Sequence, residues 1–299
     1  MDENSFLLNK ENRLLEVSYL NDNYKVIHGL KKNKICVVFF SGNALYYPNN
    51  ETCFKKMIFL EDRYEWAHVS SILLEYVEKI ILIRDIRKSW YVDGINSSIC
   101  TLEKTVKLVR DLTEGYRVII YGNSAGGYMA MVTGMIIGAD RVYNWGGQVN
   151  LKSASTIKTE FLKTALKEPQ KEKYLDIRFM LQNNKVPIFS YYAAKNPSDI
   201  ENLNILKKFP NVFLGLIDSE NHGIGFQRDV YINMIHIDKE KLMQLMGTWE
   251  DKVLSPKEMG RCINDLTKVE ERYEEPKEST ILRMRHSLGN IKRRIIKKH

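Results

Sequence analysis

The sequence predicts an α/β protein with a doubly wound, mostly parallel sheet that has helices on both faces, and two patterns support this prediction. Six short runs of β-branched, aliphatic and aromatic residues have the length of strands and lie at 35–40, 79–84, 117–121, 141–145, 186–192 and 211–217. They are apolar throughout rather than alternating, as is typical of strands covered on both faces. Stretches with helical periodicity lie between them, at 65–78, 98–114, 126–137, 155–182 and 199–208. Regular alternation of strands and helices favours right-handed βαβ units.

The segment before the first of these strands, residues 13–30, is interpreted as an antiparallel hairpin. Its turn is predicted at 21–23, where the sequence reads Asn-Asp-Asn. Asn and Asp are favoured in tight turns because their side chains bond to the nearby backbone. We therefore expect two antiparallel strands at one edge of the sheet.

The bulk properties are those of a globular protein without a membrane span. The chain has 299 residues, of which 44% are hydrophobic and 27% charged, and no apolar run reaches the 18 residues of a spanning helix. Its first residues do not have the layout of a secretory signal. The four cysteines form no CxxC pair, which favours a reducing compartment, so a cytoplasmic location is expected. We assign 1–268 to the α/β domain and 269–299 to a polar linker and basic tail.

A strand-turn-helix motif around Ser124 is the strongest functional signal. Gly122, Asn123, Ser124, Ala125 and Gly126 give the pattern G-x-S-x-G directly after an apolar run and before a helix rich in small residues. In such a turn the serine has a strained backbone and projects above the sheet, and glycine fits best two residues to either side. The alternative is an ordinary glycine-rich turn. The context favours a nucleophilic serine.

The chain resembles the α/β-hydrolase superfamily on this motif and on a late histidine, over about residues 30–235. The resemblance implies a Ser–acid–His order along the chain and a serine esterase or acyltransferase activity. A second resemblance, to hydrolase-like proteins of bacterial surface-polysaccharide and glycoprotein-export gene clusters, is based on Asp85 with residues 90–94 and on residues 147–151. It implies a role in a polysaccharide or glycoprotein assembly system.

The general base is predicted to be His222, which follows the last predicted strand and precedes a glycine. The three later histidines are weaker candidates, because His236 lies in an apolar helical stretch while His286 and His299 lie in the basic tail. A histidine on a loop at the strand ends can reach over to the serine.

The acid that orients this histidine is predicted to be Asp199, seven residues past the fifth predicted strand. Its carboxylate would accept a hydrogen bond from Nδ1–H of the histidine and fix the tautomer. Glu201 and Asp218 are alternatives. Asp199 is also a candidate N-cap of the following helix, with Ser198 as a rival for that role.

Two loops at the same sheet edge are predicted to complete the site. The N–H group of Ala125, together with that of Asn43 or Ala44 after the first strand, would bind an oxyanion, although 41–45 is also compatible with a plain turn. Aromatic and amide side chains suited to a sugar ring are predicted to bind substrate, namely Trp90, Tyr91, Tyr46 and Gln148. The alternative for the loop 84–91 is a surface loop with one buried Trp.

These residues predict hydrolysis of an ester, such as deacetylation of an acylated glycan, without a cofactor. No metal-ligand spacing and no nucleotide-binding motif occurs in the sequence. Transfer of the acyl group to a sugar hydroxyl is one alternative, and a non-catalytic scaffold of a polysaccharide or glycoprotein assembly system is another. The expected partner is a small-molecule or glycan ester.

The C-terminal segment 281–299 carries seven Lys or Arg and no acid, which is most of the formal net charge of +8. Met284, Leu288, Ile291 and Ile295 fall on one helical stripe. Segment 281–298 is therefore a candidate for docking on an anionic membrane, at the inner face, or on a protein partner. A solvated terminus is the alternative. No motif indicates base-specific binding of nucleic acid.

Overall fold

The computed structural model describes residues 12–153 and 160–267. Within these ranges eight strands form one sheet, and they are β1 (Tyr24–His28), β2 (Ile35–Phe40), β3 (Lys79–Ile83), β4 (Arg117–Asn123), β5 (Arg141–Trp145), β6 (Ile188–Ala193), β7 (Val212–Ile217) and β8 (Val253–Leu254). Their order across the sheet is β1-β3-β2-β4-β5-β6-β7-β8. β1 runs antiparallel to β3, and every other neighbouring pair is parallel. The predicted, mostly parallel sheet is confirmed.

Helices cover both faces of this sheet. In the described ranges they are α1 (Arg13–Tyr19), α2 (Glu51–Phe54, continued by a π-turn over Lys55–Leu60), α3 (Ala67–Leu73), α4 (Leu102–Thr113), α5 (Ala125–Ile137), α6 (Glu160–Ala165), α7 (Arg178–Gln182), α8 (Pro197–Leu206), α9 (Arg228–His236), α10 (Lys239–Gly247) and α11 (Pro256–Thr267). Short 3₁₀ turns occupy Asn43–Leu45 and Pro169–Tyr174. None of the described helices is long and apolar enough to cross a bilayer.

The central strands are apolar at every position because successive side chains point to opposite faces and helices cover both faces. In β2, Val38 and Phe40 pack into one core cluster, with residues of α4, α5 and α8. Val37 and Phe39 pack into the other, with residues of α3, α9, α10 and α11. All four side chains are fully buried. This arrangement explains why the strand is apolar at every position.

The antiparallel edge was predicted correctly, but the predicted hairpin was wrong in its first half. Residues 13–19 form α1, whose N-cap Asn12 accepts hydrogen bonds from Leu14 N–H and Leu15 N–H. Leu15 and Tyr19, four residues apart, are buried hydrophobic side chains that attach the helix to the protein. This four-residue spacing of buried side chains is that of one helix face, which the turn residues at 21–23 did not indicate.

Other differences concern short or late elements. Region 155–182 contains α6, a 3₁₀ turn and α7, with 154–159 outside the described residues. The sequence analysis did not assign α2, α10, α11 or the two-residue β8. The linker 269–280 and the basic segment 281–298 also lie outside the described residues, so the predicted division of the chain at 268 and the role of the tail stay predictions.

Candidate active site

Ser124 lies in a strained turn between the end of β4 and the start of α5. Its backbone has φ 54° and ψ −119°, in the left-handed half of the map that non-glycine residues rarely adopt. Its N–H donates to the carbonyl of Trp145 at 2.8 Å. A Cβ at Gly122 would collide with the backbone of Gly126, and one at Gly126 would collide with the carbonyl of Phe40. The steric reason for G-x-S-x-G is therefore present in this turn.

Asp199 and His222 are brought into direct contact by two loops at the same edge of the sheet. His222 lies between β7 and α9, and its Nδ1 is 2.5 Å from Oδ1 of Asp199. The second carboxylate oxygen accepts the N–H of Ala193, at the end of β6, at 2.9 Å. Asp199 is 1% exposed, whereas 32% of the His222 side chain is exposed. The carboxylate thus fixes the imidazole while one side of the ring stays open to solvent.

The candidate acids differ in their contacts. The N-cap of α8 is Asn196, whose side chain accepts from the N–H groups of Ser198 and Asp199, so the capping roles considered for those two residues were wrong. Asp218 forms an exposed ion pair with Lys195 at 2.6 Å. Glu201 lies 3.5 Å from the hydroxyl of Ser153.

The other histidines downstream of Ser124 do not share this position. His236 is the last residue of α9, and its ring lies edge-on to Tyr76 with centroids 5.8 Å apart. His286 and His299 lie outside the described residues.

Two contacts place His222 beside the serine turn. Gly146, directly after Trp145, lies under the imidazole, because a Cβ built there would be 2.5 Å from Cε1 and 2.8 Å from Nδ1 of His222. Gly223 lies against the side chain of Asn123, the residue before Ser124. Gly146 has φ 60°, which glycine adopts without strain. The imidazole of His222 thus lies against Gly146, and the residue that follows it, Gly223, lies against Asn123, next to Ser124.

Three backbone N–H groups are available near Ser124. Ala125 is the first residue of α5, while Asn43 and Ala44 begin the 3₁₀ turn after β2. Within the described residues, none of these three N–H groups donates to a protein acceptor. The N-terminus of a helix carries partial positive charge, which favours an anion at this position. The two segments adjoin, because the carbonyl of Phe40 abuts Gly126.

The four side chains that were predicted to bind substrate are buried, so the structure does not present them to a sugar. Tyr46 and Tyr91 are 0% exposed, Trp90 2% and Gln148 6%. Tyr46 donates to the carbonyl of Ile86 at 2.7 Å and packs in a core cluster with residues of α1 and α2. A ring without an open face cannot stack on substrate.

Three of these side chains instead form hydrogen bonds that reach the backbone of the candidate site. Trp90 Nε1 donates to Gln148 Oε1 at 2.9 Å, and Gln148 Nε2 donates to the carbonyl of Gly146 at 3.3 Å. The hydroxyl of Tyr91 donates to the carbonyl of Ser41 at 2.7 Å. Their hydrogen bonds hold the glycine beneath the imidazole and the loop after β2.

A buried carboxylate organises the loop that carries these aromatic residues. Asp85 accepts the N–H groups of Ser89 and Tyr91 at 2.7 and 2.9 Å. Burial raises its pKa to about 6, in spite of these hydrogen bonds. Lys88, Trp90 and Tyr91 all have positive φ, between 53° and 62°. Burial also lowers the pKa of Lys88 to about 7, although Asp85 opposes that shift.

Glu65 is a further acid of the site that the sequence analysis missed. Its carboxylate accepts the N–H of Gly42, in the loop after β2, and the side-chain amide of Asn123 at 3.3 Å. Burial raises its pKa, and the two hydrogen bonds oppose the rise. Glu65 precedes α3 and belongs to no motif, so no pattern in the sequence indicates its position.

Comparison with known proteins finds likeness at the level of structure. No family model and no curated protein matches the chain. Among solved structures, it resembles the capsule O-acetyltransferase of Neisseria meningitidis serogroup A, with 14% identity, a TM-score of 0.48, and coverage of 76% of this chain and 92% of that one.

Two further structures are similar over most of their length. One is a lipase-esterase related protein from Clostridium acetobutylicum, with 13% identity, a TM-score of 0.42, and coverage of 76% of this chain and 99% of that one. The other is an α/β-hydrolase enzyme from a deep-sea metagenome library of the Medee basin, with 12% identity, a TM-score of 0.42, and coverage of 78% and 95%. The likeness is one of fold.

Proposed function

We propose that this chain, which has the α/β-hydrolase fold, is a serine-dependent hydrolase of acyl esters with Ser124 as nucleophile, His222 as general base and Asp199 as the acid that orients it. The observation that carries the proposal is the 2.5 Å contact between the buried carboxylate and Nδ1 of an imidazole that lies beside the strained serine turn. A fold alone would not indicate an activity, because one fold serves many functions.

In the first half of the proposed reaction, Ser124 attacks the acyl carbonyl and passes its proton to Nε2 of His222. The carboxylate of Asp199 accepts a hydrogen bond from Nδ1–H, which leaves Nε2 unprotonated to act as base and stabilises the imidazolium that forms. The N–H of Ala125 and that of Asn43 or Ala44 stabilise the tetrahedral oxyanion. Collapse of this intermediate, with the proton delivered from His222 to the leaving oxygen, gives an acyl-serine and an alcohol.

In the second half, water deprotonated by His222 attacks the acyl-serine and releases the acid. The exposed side of His222 suits a bulky leaving alcohol, and we propose an acylated glycan as the substrate class, with deacetylation as the reaction. The same exposure favours one alternative, in which a sugar hydroxyl replaces water and the acyl group is transferred. Adding a sugar acceptor to the assay and measuring the ratio of transferred to hydrolysed acyl group distinguishes the two.

The test is covalent labelling with a fluorophosphonate probe together with turnover of a short p-nitrophenyl ester. We expect labelling and turnover in the wild type, and neither in Ser124→Ala. The matched control is Ser71→Ala, because Ser71 is exposed and its hydroxyl bonds to the carbonyl of His68 within α3. Well-folded wild-type protein that neither reacts with the probe nor turns over the ester would overturn the proposal and favour a non-catalytic scaffold.

A further inference from the structure

We infer that Glu65 is a positioning residue of the oxyanion site, which locks the loop after β2 to the nucleophilic turn. The inference rests on the proposed function, since it names the group that sets the geometry of the same site. Its basis is a single carboxylate that bridges the two segments from which the oxyanion donors come.

The first half of the bridge fixes one peptide unit. The carbonyl of Ser41 and the N–H of Gly42 belong to the same peptide plane. Tyr91 donates its hydroxyl to that carbonyl at 2.7 Å, and Glu65 accepts that N–H. A planar peptide that is hydrogen-bonded at both ends has a fixed orientation. Since this unit directly precedes the peptide that carries the N–H of Asn43, fixing it limits the positions which that N–H group can take.

The second half of the bridge reaches the serine turn. The other carboxylate oxygen of Glu65 accepts the side-chain amide of Asn123, which directly precedes Ser124. Two further hydrogen bonds join this segment to the end of β2 and the loop that follows. The N–H of Glu65 donates to the hydroxyl of Ser41 at 3.3 Å, and the indole of Trp66 donates to the carbonyl of Phe40 at 2.9 Å.

Close packing makes this bridge sensitive to small changes. A Cβ at Gly42 would meet the carbonyl of Asn123 and lie 3.2 Å from the carboxylate of Glu65, so the loop and the turn are in contact. The amide oxygen of Asn123 is buried and has no hydrogen-bond partner among the described residues. The amide oxygen of Asn123 is therefore an unused acceptor beside the bridge that Glu65 forms.

That unused acceptor predicts which substitution is tolerated. In Glu65→Gln, the new amide oxygen can accept the N–H of Gly42, while its NH₂ faces Asn123. If the amide of Asn123 turns over, its unpartnered oxygen accepts from that NH₂ and both halves of the bridge survive. Glu65→Met keeps a similar volume but provides no acceptor, so it breaks both halves without leaving a large cavity.

The experiment compares these two variants with the wild type and with Glu61→Ala, an exposed glutamate in the same segment. Fluorophosphonate titration counts reactive Ser124, so that kcat, KM and the affinity for phenylboronic acid, which mimics the tetrahedral intermediate, are expressed per active site. We expect Glu65→Met to lower kcat about 100-fold, the cost of a donor misplaced by about 1 Å, with little change in KM. Its affinity for the boronic acid should fall by the same factor as kcat/KM.

Glu65→Gln should stay within about fivefold of wild type, because it retains the acceptors. The inference is overturned if folded Glu65→Met has unchanged kcat per active site, or loses kcat without losing affinity for the boronic acid. If that variant does not fold, Tyr91→Phe frees the other end of the same peptide unit, and unchanged kcat in that variant overturns the inference. A wild type that does not react with the probe removes the proposed function, and this inference falls with it.

Discussion

Replacing Asp199 by Asn changes the charge that faces His222 and hardly changes the shape of the side chain. Both oxygens of the carboxylate are in use, one on the N–H of Ala193 at 2.9 Å and the other on the imidazole Nδ1 at 2.5 Å. The backbone N–H of Ala193 can only donate, so in Asp199→Asn the amide oxygen must face it. The NH₂ group then faces the imidazole, where it requires Nδ1 to be an acceptor.

That arrangement puts the imidazole proton on Nε2, the nitrogen that must accept the proton of Ser124. We therefore expect kcat to fall about 10⁴-fold, which is the scale known for a carboxylate-to-amide change in a Ser–His–Asp site. Loss of one charge-assisted hydrogen bond should lower the free energy of unfolding by only about 2 kcal/mol, so the variant should fold.

The assay is single-turnover acylation by p-nitrophenyl acetate, with urea unfolding to verify the fold. Asp218→Asn is the matched control, since this acid lies near the same loop but pairs with Lys195 on the surface. Its rate should stay within about twofold of wild type, as for most exposed ion pairs. A folded Asp199→Asn that keeps more than a tenth of the wild-type rate would refute the assignment of the acid.

Three further predictions follow from the same geometry and from the sequence. Gly146→Ala should lower kcat about 100-fold, because the added Cβ displaces the imidazole of His222. The control is Gly138→Ala, where φ is a similar 68° but no atom lies within 4 Å of the added Cβ. This variant should only lower the free energy of unfolding by about 1 kcal/mol. Because burial lowers the pKa of Lys88 to about 7, this residue binds fewer protons in the folded protein than in the unfolded chain above that pH, and its contribution to the free energy of unfolding should rise between pH 7 and pH 9. Lys88→Met should flatten that rise by about 2 kcal/mol in urea titrations, and parallel curves would contradict the argument. Deleting 269–299 should leave turnover of a soluble ester unchanged and abolish sedimentation with vesicles of anionic lipid at low salt. A full-length chain that does not sediment with the vesicles would contradict membrane docking and favour a protein partner.

The parts of the site that could be predicted from sequence are those governed by local sterics and chain order. Gly122 and Gly126 flank the serine because a Cβ at either position would collide with backbone, and such a requirement is visible in five residues. The contact between Asp199 and His222 was predicted because each follows a strand of the same parallel sheet, whose strand ends meet at one edge. Their catalytic roles stay predictions that the variants above test.

The parts that could not be predicted depend on contacts between segments distant in sequence. Tyr46, Trp90 and Tyr91 lie at the sheet edge as expected, yet whether an aromatic ring there faces solvent or the core is decided by how the loop folds. Asp85 accepts backbone N–H groups of the loop that carries Trp90 and Tyr91, and both rings are buried, while Tyr46 is buried against the helices before β1 and after β2. Glu65 was missed for the same reason, because its hydrogen-bond partners, Gly42 and Asn123, are distant from it in sequence.

The backbone strain in this region links the two groups of residues. Ser124, Lys88, Trp90 and Tyr91 all have positive φ, a conformation that costs about 1 to 3 kcal/mol each and persists only where surrounding contacts impose it. At Ser124 the strain occurs at the proposed nucleophile. At Tyr91 it accompanies a side chain whose hydroxyl holds the carbonyl of Ser41, one end of the peptide unit that Glu65 holds at the other. We therefore expect the loop 84–91 to act on the proposed site through the backbone of the loop after β2. Substitutions in 84–91 should alter the rate of acylation more than the binding of substrate.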